Sequence, residues 1–490
     1  MNPQHYIACD LGAESGRVML GTLENGKLEL QEVHRFLNGP SRVMGTYRWD
    51  TLRIFEELKT GLRKVAEGGA GARSVSVDSW GVDYVLTRGN QPQLAIPYHY
   101  RDARTEKTYQ SALKNIGAKR IFDATGIQFM SLNTLYQFIA DLEDLPDILA
   151  VADRFLLIGD YFNYLFSGKG VAEESLASTT QMYDPCTKAW SRDIIQAFGF
   201  NEWIFPQIVP SGTILGPLTE EVAAETRLSG VQVVATCSHD TGAAVAAVPA
   251  EGDDWAYLSS GTWSLIGVEL PKPLINDDVR AANFTNEAGH DGTTRFLKNI
   301  SGLWLLQECR RAWAKEGTEY GYDELTHLAL ETEPLRSLVN PNSPKLARPE
   351  EMPRKIREEC EAQGEPVPTT PGQVTRCILE SLALTYRVSF EQLQQLTGRT
   401  LKRLHIVGGG SQSKLLNQAA ADAIGCTVIA GPVEATAIGN LLVQAIALKD
   451  IPSLAALRRT VRDSFPVTTY VPQDRQAWDA AFDRYCRLSK

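Results

Sequence analysis

The stretch IACDLGAESGRVML, residues 7–20, sets one carboxylate, Asp10, between two apolar runs and follows it with Gly12, Ala13, Glu14, Ser15, Gly16 and Arg17. The apolar runs read as strands and the small residues between them as a tight turn. Two readings stand open at this point. The turn is a plain hairpin connection, or its bare backbone N–H groups approach a phosphate while the neighbouring acid faces a metal.

Working outward, the stretch continues into a second hairpin signal, Asn25-Gly26. A counterpart lies far along the chain: DDWAYLSSGTWSLIGVEL, residues 253–270, is again strand, small polar turn, strand. Each is followed by α/β-type patterns, SVSVDSWGVDYVL in the first half and LKRLHIVGGG and CTVIAGP in the second. VQVVATCSHDTGAAVAAV reads as a buried strand running straight into a helix of small residues. These shapes predict a duplicated architecture of two lobes, each opening with a hairpin whose turn faces a shared cleft. The boundary is expected in AVPAEGDD, giving lobes 1–247 and 248–490.

The remaining segments are read more simply. Residues 372–396 space their apolar positions by three and four and stop at Gly398, which predicts a helix. The Pro-rich region 340–371 reads as a long surface excursion, and DRQAWDAAFDRYCRLSK as an amphipathic closing helix.

Composition limits the function. At 490 residues the chain is too long for one core. A net charge of −10 argues against a general nucleic-acid or membrane-surface binder. The N-terminus has neither a basic nor an apolar signal region, and the apolar run from Ala243 to Pro249 is far short of the ~20 residues of a membrane span. The eight cysteines show no C-x-x-C and the seven histidines no H-E-x-x-H, so a zinc site is not expected. Reduced thiols in a cytoplasmic protein are expected, with Cys360 and Cys377 the pair to check for bridging.

Four motifs carry candidate chemistry. In HIVGGGSQSKLLNQAAADAIG a strand ends in Gly408-Gly409-Gly410 and a helix begins near Ser411 or Ser413. That arrangement suits a phosphate or an adenosine, although it is no Walker A loop, and an ordinary Gly-rich turn with a serine cap would look the same. In SHDTGAAV, three consecutive residues cannot converge as a Ser-His-Asp triad. Asp240 instead sits where a buried strand meets a helix, at the lip of the sheet, where it either accepts a substrate proton or caps the helix. Asp78 and Asp83 flank Trp80-Gly81, a flat apolar wall beside bare backbone that suits a sugar face or serves as core and bulge. In KNISGLWLLQE, Asn299 and Gln307 are read as two helical turns apart; this stretch and the charged, aromatic YHYRDART are more often structure than site.

Together, two Gly-bearing hairpin turns, an acid at a sheet lip and a strand–GGG–helix describe a two-lobed α/β architecture of the actin/hexokinase-like (ribonuclease H-like) type, duplicated about a central ATP/sugar cleft. Within it the chain resembles the FGGY carbohydrate kinases over essentially its whole length. CDLGAESGR resembles that family's first phosphate turn, SHDTGAA its catalytic-Asp motif, SSGTWS its second phosphate turn, and GGGSQSKLLNQAAADAIGCTVIAGPVEATAIGN its C-terminal signature. Ala13 stands where most members carry Thr, and Gly159 where a Lys is often found. Ala13, with DSWGVDYVL, YRDART and GIQFMSLNTLYQ, points to one branch, whose substrate is L-rhamnulose.

The resemblance implies an ATP- and Mg²⁺-dependent kinase that phosphorylates the 1-hydroxyl of L-rhamnulose, with Asp240 as general base. Trp80, Gly81, His239, Asp240 and Thr241 would line the sugar pocket. Gly12, Ala13, Glu14, Ser15, Gly16, Arg17, Thr262, Asn299, Gln307 and Gly409 would hold ATP, and Asp10 would orient Mg²⁺ directly or through water. The lobes would close on their ligands. A cytoplasmic monomer acting on small molecules, with no nucleic-acid or membrane partner, is expected. The competing expectations are a kinase for L-fuculose, xylulose or a related ketose on the same fold, and, more distantly, a non-kinase ATPase switch.

Overall fold

The computed structural model describes residues 2–488. The chain forms two compact units that interleave along the sequence. The first comprises Met1–Pro249, Glu269–Phe296 and Ala435–Ser464; the second comprises Ala250–Val268, Leu297–Glu434 and Phe465–Lys490.

In the first unit the opening stretch folds as a hairpin of strands Gln4–Leu11 and Ser15–Glu24, extended by Lys27–Leu37. The second turn places Asn25 and Gly26 at φ of 50° and 79°, the two positive values that let a short turn follow the strand twist. On its other side Gln4–Leu11 pairs in parallel with Ser74–Ser79, which pairs in parallel with Gln232–Ala235; Thr213–Pro217 closes that edge. The inner strands are buried along almost their whole length because both faces are covered. Helices Thr51–Glu67 and Ile158–Ser167 press Ile54, Leu58, Leu62, Tyr161 and Phe162 into the core beside the sheet. Helix Ala435–Ala447 packs on it from far along the chain, where Gln444 Nε2 donates to the Ile7 carbonyl at 2.9 Å and Ser74 Oγ donates to Gln444 Oε1 at 2.6 Å.

The second unit repeats the device. Strands Trp255–Ser260 and Trp263–Leu270 form a hairpin, and Arg403–Val407 runs parallel beside the first of them, followed by Thr427–Ala430 and Thr468–Tyr470. The duplication expected from the two turn motifs is therefore present. In each unit the hairpin's first strand has a parallel neighbour whose C-terminal end carries a further motif. That end leads into Trp80-Gly81 in the first unit and into Gly408-Gly409-Gly410 in the second.

Helix Pro371–Thr397 starts on a Thr370 cap and stops at Gly398, φ 67°, as its periodicity predicts. The closing helix runs Arg475–Leu488; residues 489 and 490 of that expected helix lie outside the described residues. Two expectations need correcting. The region 340–371 is not a plain surface excursion: Leu346, Met352 and Ile356 are buried, and Met352–Ala362 is a helix. Pro353 opens this helix, since the first turn needs no proline N–H. Asn299 and Gln307 do not share a helix either. Asn299 lies in the strand Thr294–Ser301 and Gln307 belongs to the helix Trp304–Lys315, with Gly302 at the break. All eight cysteines are free thiols; Cys360 and Cys377 are buried and in thiol–thiol contact without a bridge. Among the described residues no helix is long and apolar enough to cross a membrane.

Candidate functional site

The parallel strands of the first unit bring three acids to one end of the sheet, the position where open α/β sheets form their ligand sites. Asp10 and Asp78 are register partners on adjacent strands. The Ser79 amide donates to the Ser238 carbonyl at 2.8 Å, which carries the same edge on to His239 and Asp240.

The first turn is held from within and from outside. The Gly12 amide donates to the Ser15 carbonyl at 2.9 Å, and Asn38 donates to the Gly12 carbonyl from its side chain at 2.8 Å. Gly16 is required by packing, since a Cβ there would lie 2.2 Å from the Phe36 ring. Arg17 forms an ion pair with Asp10, so the side chains expected to face phosphate and metal neutralise each other.

Asp78, which the sequence places beside Trp80-Gly81 without assigning it a role, stands next to Asp10. Its side chain is fully buried, Oδ2 accepts from Asn440 Nδ2 at 2.5 Å, and Oδ1 has no hydrogen-bond partner among the described residues. Burial pushes its carboxyl well above the ordinary range, and the charges of Asp10 and Asp240 push it further. Its signal was present, an acid in an otherwise apolar strand, but only the register with Asp10 gives it meaning. Among the described residues no group of three or more His, Cys, Asp and Glu side chains is arranged to hold a metal. An orphaned carboxylate oxygen beside Asp10 nevertheless fits a hard divalent cation of the kind held by one or two carboxylates, water and substrate phosphates.

Asp240 is the first residue of helix Asp240–Ala246, and His239, not Asp240, occupies the cap position. Its Oδ1 accepts from the Thr241 amide at 2.5 Å and lies 3.4 Å from His239 Nε2. Burial raises the carboxyl above its ordinary value; the nearby His239 and the Thr241 amide work in the opposite direction. The loop before it is anchored by residues from a different part of the chain. The Ser238 amide donates to Glu173 Oε2 at 3.0 Å, the His239 amide donates to Ser175 Oγ at 3.1 Å, and Ser175 Oγ itself donates to Glu173. Gly159 also abuts this loop: a Cβ there would stand 3.2 Å from the Ser238 carbonyl oxygen.

Trp80 is nearly buried, 4.1 Å between centroids from Trp49, and both indole N–H groups donate to Asp83 Oδ2. Asp83 also accepts from the Tyr100 amide and from Gln137 Nε2, so it is a structural hub. Gly81 leaves room for Thr179, whose Oγ1 a Cβ would approach to 2.8 Å.

In the second unit the structure brings together Thr262, the 299–307 segment and the glycine loop. The amides of Leu303 and Trp304 donate to the carbonyls of Gly261 and Thr262 at 3.0 and 3.2 Å. Gly302 permits this approach, because a Cβ would lie 2.7 Å from the Thr262 carbonyl oxygen. Gly408, φ 82°, and Gly410 fold against Ser260, with an added Cβ at Gly410 only 2.0 Å from Ser260 Oγ; one at Gly409 would meet nothing. Gln307 presents a buried Oε1 without a hydrogen-bond partner. Ser413 caps helix Lys414–Ile424.

The structure thus sets two Gly-bearing hairpin turns, a lip acid and a strand–glycine–helix on a duplicated α/β frame. Residues 5–247 match the model of the N-terminal domain, and residues 256–448 that of the C-terminal domain, of the FGGY family of carbohydrate kinases. The chain belongs to that family and is a sugar phosphotransferase. It is 43% identical over 479 residues to a rhamnulokinase of Bacteroides thetaiotaomicron, covering 98% of each chain. A rhamnulokinase of Enterococcus faecalis is 41% identical, over 95% of this chain and 94% of its own. One of Bacillus subtilis is 38% identical over 96% of both. In fold it is similar to a ligand-bound xylulose kinase from Lactobacillus acidophilus, with a TM-score of 0.82 at 14% identity over 99% of this chain and 97% of that one. A Plasmodium falciparum glycerol kinase with ADP gives a TM-score of 0.79 at 15% identity, over 99% and 98%.

Proposed function

We propose that the protein transfers the γ-phosphoryl group of ATP to the 1-hydroxyl of L-rhamnulose, with Asp240 as general base. The observation that carries the reaction is the Asp240 carboxylate, fixed at the first turn of its helix and raised by burial toward the range where it takes a proton. The sugar is drawn from the rhamnulokinases that the chain is similar to over nearly its full length.

The hydroxyl oxygen forms a bond to the γ-phosphorus, the bond to the ADP oxygen breaks, and the hydroxyl proton passes to the Asp240 carboxylate. Such a reaction asks for position and charge stabilisation more than for covalent chemistry. The turn Gly12–Gly16, itself closed by the Gly12 amide on the Ser15 carbonyl, holds the β- and γ-phosphates with Ser15 and Arg17, and Thr262 has the matching duty in the second hairpin. Asn299, Gln307 and Gly409 hold the nucleotide. Trp80, Gly81, His239 and Thr241 border the sugar. Sugar binding and the first phosphate turn thus fall to residues 1–247, and the second turn and adenosine binding to 248–490. Asp10, with Asp78 beside it, would hold Mg²⁺ directly or through water, and Mg²⁺ bound there would offset phosphate charge. For Arg17 to reach phosphate it must leave its ion pair with Asp10. We read the protein as a cytoplasmic monomer.

A panel of ketoses with ATP and Mg²⁺ in a coupled ADP-release assay tests the reading. L-Rhamnulose is expected to give the highest kcat/KM. A preference for L-fuculose or xylulose overturns the sugar and keeps the kinase. ADP release independent of every ketose overturns the kinase.

A further inference from the structure

We propose that Glu287 and Arg295 are positioning residues for the sugar site. They hold His239 in the neutral form that carries its proton on Nε2, so that the ring donates a hydrogen bond to a sugar oxygen beside the Asp240 carboxylate. The proposal rests on the kinase reading above and adds to it what orients the histidine.

Arg295 is wholly buried, and its Nε donates to the Ala288 carbonyl at 2.9 Å. Its Nη1 stands 3.2 Å from Glu287 Oε2, and its Nη2 stands 3.1 Å from His239 Nδ1. Glu287 Oε2 is itself 3.3 Å from His239 Nδ1. The Glu287 Oε2–Nδ1 pair lacks hydrogen-bond geometry and a guanidinium only donates, so His239 Nδ1 accepts from Arg295, and a neutral ring that accepts at Nδ1 carries its hydrogen at Nε2. An imidazolium would set its Nδ1–H against the Nη2–H of Arg295, donor against donor. Glu287 supplies the charge that a buried arginine requires.

The far side of the ring then has a defined role. Nε2 lies 3.4 Å from Asp240 Oδ1, longer than an ordinary N–H···O hydrogen bond. The Nε2–H is therefore available to a sugar oxygen next to the attacking hydroxyl. A nitrogen that already bears hydrogen cannot take the substrate proton, so that task stays with Asp240. Arg295 lies 56 residues from His239 in sequence, and only the fold brings them together.

The test is a double-mutant cycle on the intact enzyme with its best ketose. Arg295→Lys keeps the charge and loses the fork; Glu287→Gln keeps the shape and loses the charge. Each is made alone and in a His239→Asn background, which retains Asp240 and hence measurable turnover. The expected result for each single variant is a sugar KM raised about tenfold, the loss of one oriented hydrogen bond, with the ATP KM within about twofold. In the His239→Asn background the same substitutions change the sugar KM no further, because their effect passes through the ring. A tenfold rise that persists in that background marks a structural role and overturns the proposal.

If the buried substitutions prevent folding, ¹⁵N-histidine NMR of the unsubstituted enzyme decides, with the His239 signals assigned by their loss in His239→Asn. A neutral ring protonated at Nε2 supports the proposal; a proton on Nδ1 overturns it. This readout does not depend on turnover, so it stands apart from a failure of the ketose panel.

Discussion

Replacing Gly439 by alanine tests how Asp240, the proposed general base, is held. Gly439 lies within helix Ala435–Ala447 and faces helix Asp240–Ala246. A Cβ there would stand 1.8 Å from the Ala243 carbonyl oxygen and 2.6 Å from its carbon. Real Cβ contacts do not fall under 3.0 Å, so the gap is short by at least 1.2 Å, the difference between 3.0 and 1.8. The atoms struck are backbone, so no rotamer change relieves the overlap. Alanine's better helix propensity returns ~1 kcal/mol, whereas overpacking a filled core costs ~1–3 kcal/mol or more. The clash wins, and the helix that begins with Asp240 must shift. A misplacement of about 1 Å at reacting groups costs ~10²-fold. Gly439→Ala is therefore expected to lower kcat/KM for the ketose by ~10²-fold and to lower the thermal unfolding midpoint. The measurements are coupled ADP release and a thermal melt. Gly71→Ala is the control, since a Cβ at Gly71 meets nothing within 4 Å. A Gly439→Ala enzyme with unaltered turnover and midpoint would refute the reasoning.

Asp240→Asn should cut turnover by at least ~10²-fold, the usual loss with a general base, while ATP binding measured by calorimetry persists; near-normal turnover removes Asp240 from the mechanism. Gly410→Ala should force Ser260 aside, since the added Cβ would lie 2.0 Å from its Oγ. The ATP KM should rise about tenfold, a loss of ~1.4 kcal/mol, with the ketose KM unchanged; a rise in the ketose KM alone would contradict the placement of the glycine loop. Glu173, which anchors the loop before Asp240, is pushed by burial up to about 7 from 4.5. The folded chain thus keeps a proton that the unfolded chain releases, so the stability from this group is full below pH 4.5 and is lost as pH rises through about 7. The urea midpoint of the unsubstituted protein should fall over that window by more than that of Glu173→Gln, and equal slopes would count against it.

Residue types and order alone determined the two hairpin turns, the lip acid, the glycine loop and the long helix closed by Gly398. Each is a local event, set by a small residue, a cap or a short-range apolar period, and each motif is contiguous in sequence. Where local signals misled, a tertiary contact had intervened. Prolines in 340–371 read as loop because their role as a helix start shows only once Met352 and Ile356 are buried. The Asn299–Gln307 spacing read as helix because the approach of Gly302 to the Thr262 carbonyl is invisible in one dimension.

The site's electrostatics belong to the tertiary structure. Asp10 and Asp78 become neighbours only through parallel strand register, and Arg17 is matched to Asp10 by the hairpin. Glu173, Glu287 and Arg295 reach the Ser238–Asp240 loop from distant segments. Charge and proton placement depend on distance and burial, and those are fixed when the sheet closes. The chain's motifs therefore carry a resemblance to the FGGY kinases, while the fold decides which acid is buried and which is paired.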